Sequence, residues 1–106
     1  MTTLFLEALI RKHLADPQFC VKRLALMLRI STSHLRKIVH QLSHTSPQKL
    51  IEEMRMRLAV QLLEQQFKIH TIARTVGYNS DRAFRAAFRR WQGSSPIEYK
   101  KMARAQ

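Results

Sequence analysis

The stretch from Ser46 to Glu64 constrains the fold more than any other part of the sequence. Ser46 is a favoured N-cap residue, Pro47 suits the first position of a helix, and no further Gly or Pro occurs before Gly77. Projected at about 100° per residue, the apolar residues of this helix fall into two stripes. Because two stripes need two bodies to cover them, the pattern predicts a connecting helix held between two small helical units. The first stripe contains Leu50, Ile51, Met54, Leu58 and Leu62, and the second contains Met56, Ala59, Val60 and Leu63.

The rest of the chain favours an all-α fold. It has 106 residues, of which 45% are hydrophobic, with only two Gly and three Pro to break helices or form tight turns. Apolar residues at helical spacing predict six further helices, giving seven in all. We place the six at residues 4–14, 21–28, 32–42, 69–76, 80–91 and from Ser95-Pro96 onward. The predicted division is a first helix-turn-helix subdomain over 1–46, a connecting helix over 47–66 and a second helix-turn-helix subdomain over 67–106.

The two subdomains are predicted from an internal repeat. Leu24-Ala25-x-x-Leu28 aligns with Ile72-Ala73-x-x-Val76 at an offset of 48 residues. Downstream the offset becomes 49, so the second turn has one extra residue. The matched pairs there are Leu35 with Phe84, Val39 with Phe88, Leu42 with Trp91, Ser46-Pro47 with Ser95-Pro96, and Leu50 with Tyr99. A repeated helix, tight turn and second helix is the helix-turn-helix arrangement.

The charge of the chain indicates its class of partner. Lys and Arg total 19 against 7 Asp and Glu, which gives a formal net charge of +12 and a pI near 11.2. A compact domain with this imbalance repels itself unless a polyanion neutralises it, and nucleic acid is the first candidate. The single cysteine, Cys20, cannot form an internal disulfide, and neither a secretory nor a membrane-spanning segment is recognisable. We therefore expect a soluble, cytoplasmic protein that is not membrane-bound.

The second helix of each unit carries the candidate DNA-binding residues. In helix-turn-helix proteins this helix enters the major groove, so its outer face must be polar and free of bulky apolar groups. Arginine can form two hydrogen bonds with guanine, so Arg36, Arg82 and Arg85 are the preferred base readers. Asp81 suits either cytosine N4 or a stabilising position at the helix N-terminus. The candidate set is Ser33, Arg36, Lys37 and His40 in the first unit and Asp81, Arg82, Arg85 and Arg89 in the second, with Lys37, His40 and Arg89 expected at phosphates.

The length of the connecting helix suits a double-stranded partner. About 18 residues at 1.5 Å each span roughly 27 Å, close to the ~34 Å between successive major grooves on one side of B-DNA. A shortfall of this size would favour bent DNA. The spacing thus predicts that both second helices occupy adjacent grooves of one duplex.

The second half of the chain resembles the AraC/XylS family of bacterial transcription regulators. The resemblance rests on the run Ile72 to Ser80 (IARTVGYNS), followed by Phe84, Phe88, Gly93 and Ser95-Pro96-x-x-Tyr99, and it extends over about residues 5–101. It implies a DNA-binding domain with two helix-turn-helix units on a long helix, which usually activates transcription through contacts with RNA polymerase. By position in the motif, it also implies that Ser33, Arg36 and Lys37 and then Asp81, Arg82 and Arg85 read bases.

The sequence departs from the family pattern at three positions. Arg29 and His44 stand where the family often has Gly, so a left-handed backbone there would cost about 1 kcal/mol each. Ala86 stands where some relatives have Arg. A separate sensor or dimerisation domain is also absent from these 106 residues. We therefore expect either a short stand-alone activator or, preferably, the C-terminal piece of a larger regulator, monomeric by itself and dimeric only through a domain outside it.

Other functions are less well supported by the sequence. The alternative of a basic adaptor docking on a protein or an anionic membrane needs exposed apolar anchors beside the charges, and an RNA-binding module needs exposed aromatic residues. We instead expect Phe84, Phe88, Trp91 and Tyr99 in the core.

His40 and His44 have the i, i+4 spacing of metal ligands, but the sequence has no recognisable third ligand. No catalytic pattern is present either. We therefore expect no metal, no cofactor and no enzyme activity.

Overall fold

Residues 1–105, the part of the chain that the computed structural model describes, form seven helices and no strand. The predicted all-α fold is thus confirmed, and each predicted helix is found within two residues of its expected bounds. The helices are α1 Thr3–His13, α2 Val21–Met27, α3 Thr32–Ser43, α4 Pro47–Glu64, α5 Ile69–Thr75, α6 Asp81–Gln92 and α7 Pro96–Ala105.

Short hydroxyl side chains start five of the helices. In each case the side-chain oxygen accepts a hydrogen bond of 3.0–3.2 Å from the backbone N–H three residues later. The cap residues are Thr2, Ser31, Ser46, Ser80 and Ser95. The two helices without such a cap, α2 and α5, are the seven-residue first helices of the two repeats.

The connecting helix α4 is shared by two hydrophobic cores. Its first stripe packs with α1, α2 and α3 around Leu6, Leu24 and Leu35, and its second packs with α5 and α6 around Ile72 and Phe88. Leu58 contacts both cores. The molecule measures 44 × 24 × 20 Å, so it is elongated.

Two apolar side chains differ from their predicted places. Leu62 packs against the second core instead of the first, because it lies beyond the reach of the first unit's helices. Trp91 is 36% exposed at the end of α6.

The two turns repeat at the level of backbone hydrogen bonds. In the first, Ile30 N–H donates to Ala25 O at 3.1 Å, and in the second Tyr78 N–H donates to Ala73 O at 2.9 Å. Both turns contain one residue with positive φ, Arg29 at 57° and Gly77 at 97°. The helix ends also match, because His44 has φ 55° and Gly93 has φ 89°. Arg29 and His44 therefore do adopt the left-handed backbone whose cost we considered from the sequence.

The two units also touch each other. A Cβ atom added at Gly77 would lie 2.0 Å from Leu14 O, so the turn of the second unit packs directly on the end of α1. From α4, Arg55 reaches into the same junction and donates hydrogen bonds to backbone carbonyls of the α1–α2 connection. Burial lowers the pKa of the Arg55 guanidinium and raises the pKa of the neighbouring Tyr78 phenol. The arrangement of the two units is thus set by packing as well as by α4.

Candidate nucleic-acid interface

The outer face of α3 is polar and exposed. Leu35 and Val39 are fully buried, which turns the opposite side of the helix to solvent. All four candidate residues of this helix, Ser33, Arg36, Lys37 and His40, are exposed. The first unit therefore offers a face that fits the major groove, as is required of a reading helix, the second helix of a helix-turn-helix unit that contacts the bases.

The outer face of α6 has the same character. Phe84 and Phe88 are fully buried, while Arg82, Arg85 and Ala86 are exposed. The aromatic rings that hold the helix are tightly associated: the Phe84 and Phe88 centroids are 5.9 Å apart, and Phe88 lies 5.9 Å from Tyr99. This packing fixes which side of α6 is presented outward.

Asp81, at the start of α6, is held by two side chains of α5. Its Oδ1 lies 3.0 Å from His70 Nδ1 and 3.2 Å from Arg74 Nη1, and its side chain is 30% exposed. These contacts join the two helices of the second unit. They favour the structural role that we weighed for Asp81 over the reading of cytosine.

Arg89 stands further along α6 beside α7. Its Nη2 lies 3.5 Å from Glu98 Oε1, and both side chains are largely exposed. A pair at this distance and exposure is weak. The guanidinium can leave the carboxylate for a phosphate at little cost.

Four candidate cations have no carboxylate partner within residues 1–105. Five other arginines pair with Asp or Glu at 2.8–3.5 Å. Four of the candidate cations, all on the two outer faces, form no such salt bridge: Arg36, Lys37, Arg82 and Arg85. In a chain of net charge +12, carboxylates are scarce, and among residues 1–105 none forms a salt bridge with these four side chains.

A basic cleft beside α3 adds two basic residues, His44 and Lys49, that we did not predict as DNA-binding residues. It has a volume of about 380 Å³ and lies where α3 ends and α4 begins. We call it the basic cleft; it is lined by Arg36, His40, His44, Thr45, Ser46 and Lys49. Lys49 could have been found from the sequence, because it is the third residue of α4, in the first turn after the N-cap Ser46, where the helix dipole favours an anion.

The surroundings of His40 and His44 do not suit a metal. Their ring centroids are 6.2 Å apart in an edge-on arrangement, and the adjoining groups of the cleft are cationic or hydroxyl-bearing. Over residues 1–105 no cluster of three His, Cys, Asp or Glu side chains is placed to hold a metal ion. Nor does this part of the chain contain a helix with the length and apolar character needed to cross a bilayer.

Trp91 departs from the expectation that the aromatic residues of α6 lie in the core. Its ring packs edge-on against Phe88 at 6.1 Å but remains 36% exposed. It borders a shallow pocket with Thr45, Lys49 and Glu53. One isolated ring does not form the stacking platform of an RNA-binding surface.

The fold and these faces define a class. Two helix-turn-helix units share one connecting helix, and each presents an exposed basic face on its second helix, which is the architecture of a double helix-turn-helix DNA-binding domain. The model of the helix-turn-helix domain family matches residues 24–102. This chain belongs to the AraC/XylS family, as its resemblance predicted. That family consists of transcription regulators and is not a class of enzymes.

Several known proteins are similar to the chain. The HTH-type transcriptional regulator AlkR of Acinetobacter baylyi is 37% identical over 89 residues, which cover 83% of this chain and 29% of AlkR. The C-terminal domain of the response regulator AraT from Geobacillus stearothermophilus superposes with a TM-score of 0.88 at 29% identity, covering 93% of this chain and 83% of that domain.

A third similar structure contains DNA. The DNA-binding domain of the global transcriptional factor AdpA, solved with a target DNA, superposes with a TM-score of 0.87 at 30% identity, covering 96% of this chain and 92% of that one. Among the curated relatives, by contrast, the chain spans only 22–36% of the full length. What those longer proteins sense or regulate therefore does not transfer directly.

Proposed function

We propose that this chain binds specific sites on double-stranded DNA and thereby regulates transcription, with α3 and α6 inserted into successive major grooves. The observation that carries the proposal is the set of arginines without carboxylate partners on both second helices, Arg36, Arg82 and Arg85. Of the five arginines that pair with a carboxylate, only Arg89 is one of the candidate DNA-binding residues. The DNA complex of the similar AdpA domain supports the same partner class.

The residues divide into two roles. Arg36, Arg82 and Arg85 lie in the N-terminal halves of their helices, where side chains reach base edges, and each can grip guanine O6 and N7. Lys37, His40 and Arg89 contact phosphate, and His44 and Lys49 extend that contact through the basic cleft. Ser33 contacts a base or phosphate with its hydroxyl, and Asp81 holds α6 against α5. The boundaries of 1–46, 47–66 and 67–106 remain the division that we propose.

Selection of bound duplexes from a random pool tests the proposal directly. The expected result is one bipartite, asymmetric site whose two halves are about one helical turn apart. A pool that shows no enrichment at physiological salt, or a preference for anionic vesicles over duplex DNA, would favour the adaptor function instead. The vesicle comparison is made with phosphatidylserine-containing liposomes in the same buffer.

Arg85→Ala then tests the reading helix. The variant is expected to lose about 1–3 kcal/mol of discrimination at one base pair of the selected site and to leave the other positions unchanged. Lys37→Ala is the matched comparison, because it should weaken binding to all sequences alike. Titration of single-base variants of the site separates the two patterns, and an unchanged profile for Arg85→Ala would refute its assignment.

Activation is the direction of regulation that we propose. One relative, 29% identical over 102 residues, is the transcriptional activator RclR of Escherichia coli. We infer that this chain likewise acts in the bacterial cytoplasm and contacts RNA polymerase while bound as a single copy at its site. Transcription in vitro with purified bacterial polymerase should rise when the selected site is placed upstream of a weak promoter, and a fall would identify a repressor.

A further inference from the structure

Three backbone carbonyls of the first unit converge on one side chain of the connecting helix. Arg55 Nε lies 3.1 Å from Leu14 O, and its Nη2 lies 3.1 Å from Asp16 O and 3.4 Å from Phe19 O. These carbonyls belong to the connection between α1 and α2. A planar guanidinium has its donors in a fixed fork, so it can satisfy several acceptors at once only in one orientation.

The same guanidinium contacts the second unit. Its carbon lies 5.6 Å from the centre of the Tyr78 ring, within the range of a cation–π interaction. Tyr78 follows Gly77 in the turn that leads into α6, and its ring lies 5.8 Å from that of Phe84. Arg55 therefore connects the segment before α2 with the turn before the second reading helix.

The contact at Gly77 makes this junction close. The backbone of Gly77 approaches Leu14 O so nearly that a Cβ there would be 2.0 Å from that oxygen and 2.9 Å from Arg55 Nε. On the same side of α4, Glu52 Oε1 accepts a bond of 3.0 Å from Arg90 Nη2 of α6. We call the contacts of Arg55 with Leu14, Asp16, Phe19 and Tyr78 the Arg55 bridge.

We propose that Arg55 is a positioning residue for DNA recognition: the Arg55 bridge fixes the orientation of α3 relative to α6 and thereby sets the half-site spacing that the protein accepts. The inference rests on the proposed function, because only a bipartite DNA site has such a spacing. Arg55 contacts no DNA in this scheme. It acts by holding two reading helices in register.

The physical basis is preorganisation. Two binding modules on a rigid connection engage a correctly spaced site together, and the advantage disappears when the spacing does not match. If the connection loosens, the correctly spaced site loses affinity while wrongly spaced sites become comparatively acceptable. The signature of the bridge is therefore a spacing preference, which a general loss of stability would not alter.

Arg55→Met tests the proposal, since methionine keeps an unbranched apolar stem and removes every donor. Arg57→Met is the matched control: it removes the same charge from the same helix, where Arg57 pairs with Glu53 at 2.8 Å and its side chain is 57% exposed. Affinities are measured for the selected site and for variants in which the half-sites are moved by one and two base pairs in each direction. The folded fraction of each variant is checked by thermal unfolding.

For the wild type and Arg57→Met we expect the correct spacing to be preferred at least about tenfold over a shift of one base pair. For Arg55→Met this ratio should fall below about threefold, with binding to each isolated half-site unchanged. A folded Arg55→Met protein that keeps the wild-type ratio would overturn the proposal.

A measurement without DNA separates this inference from the proposed function. Spin labels are attached at Gln41→Cys in α3 and Gln92→Cys in α6, both exposed positions, in a Cys20→Ser background. Wild type and Arg57→Met should give one narrow distance distribution, and Arg55→Met a clearly broader one. If the distribution broadens but no duplex is preferred, the bridge stands as an orienting device and the DNA function fails; if it does not broaden, the bridge is refuted whatever the DNA result.

Discussion

Gly77 and Gly93 are required for different physical reasons. Both have positive φ, 97° at Gly77 and 89° at Gly93. A Cβ at Gly93 would meet nothing within 4 Å, whereas one at Gly77 would collide with Leu14 O. Gly93 is thus needed only for its backbone conformation, while Gly77 is needed for that and for the close approach of the two units.

Substituting each glycine by alanine should separate these effects. Gly93→Ala is expected to cost about 1 kcal/mol, the strain of a left-handed alanine. Gly77→Ala should cost about 3 kcal/mol or more, because the backbone carbonyl of Leu14 must also move. Urea unfolding followed by circular dichroism gives both values, and equal losses would contradict the contact between the units.

Asp81 allows a second prediction about a single residue. Asp81→Ala removes its contacts with His70 and Arg74 and a carboxylate from the first turn of α6, so we expect a loss of about 0.5–1 kcal/mol in unfolding free energy. Preference at each base pair should be unchanged. Glu53→Ala, which removes the exposed pair with Arg57, is the control and should cost no more than about 0.5 kcal/mol. A change in base preference without loss of stability would instead make Asp81 a base reader.

The elements were more predictable from the sequence than the contacts between them. Helix bounds followed from caps and spacing: Ser46 and Pro47 start α4 as expected, and Ser95 caps the last helix. The outer faces of α3 and α6 followed too, since they lie opposite Leu35 and Phe84. The role of Arg55 did not, because its acceptors are backbone carbonyls 36–41 residues away, and carbonyls leave no pattern in the residue types.

The apolar exceptions have a similar explanation. A helical projection shows which residues share a face but not how far a neighbouring helix extends along it. Trp91 lies on the face of Phe84 and Phe88, yet it is at the last turn of α6, where the core ends. Leu62 lies on the predicted first stripe of α4 but beyond the first unit.

The C-terminus of α3 should be open to stabilisation. His44 adopts a left-handed conformation with φ 55°, which costs a non-glycine residue about 1 kcal/mol. His44→Gly is therefore expected to raise the unfolding free energy by about that amount. Gln41→Gly, inside the same helix and exposed, should lower it by about 1 kcal/mol. Thermal unfolding measures both changes. If His44→Gly lowered the unfolding temperature as Gln41→Gly does, contacts of the His44 side chain would outweigh the strain of its backbone.

At the scale of the whole molecule, the charge of +12 predicts how binding responds to salt. Each neutralised phosphate contributes about −0.9 to the slope of log affinity against log salt concentration. With about six such contacts, affinity should fall about 10³-fold between 50 and 200 mM salt.

Lys49→Ala tests the part of this dependence that comes from the basic cleft. The variant should reduce the magnitude of the slope by about 1, because it removes one phosphate contact. Lys12→Ala, on the exposed side of α1 and outside both reading faces, should leave the slope unchanged. Titrations with the selected duplex at four salt concentrations suffice, and equal effects of the two lysines would indicate a diffuse rather than localised attraction.

The sharing of α4 by two cores restricts how such a protein can change over evolution. Inserting a single residue between Met54 and Met56 would rotate everything downstream by about 100°, which would turn one buried stripe toward water. Only additions close to whole turns, such as seven residues, would keep both stripes covered, and each would lengthen the helix by about 10 Å. The distance between paired DNA contacts in proteins with this architecture should therefore vary in discrete steps, with no gradual series in between.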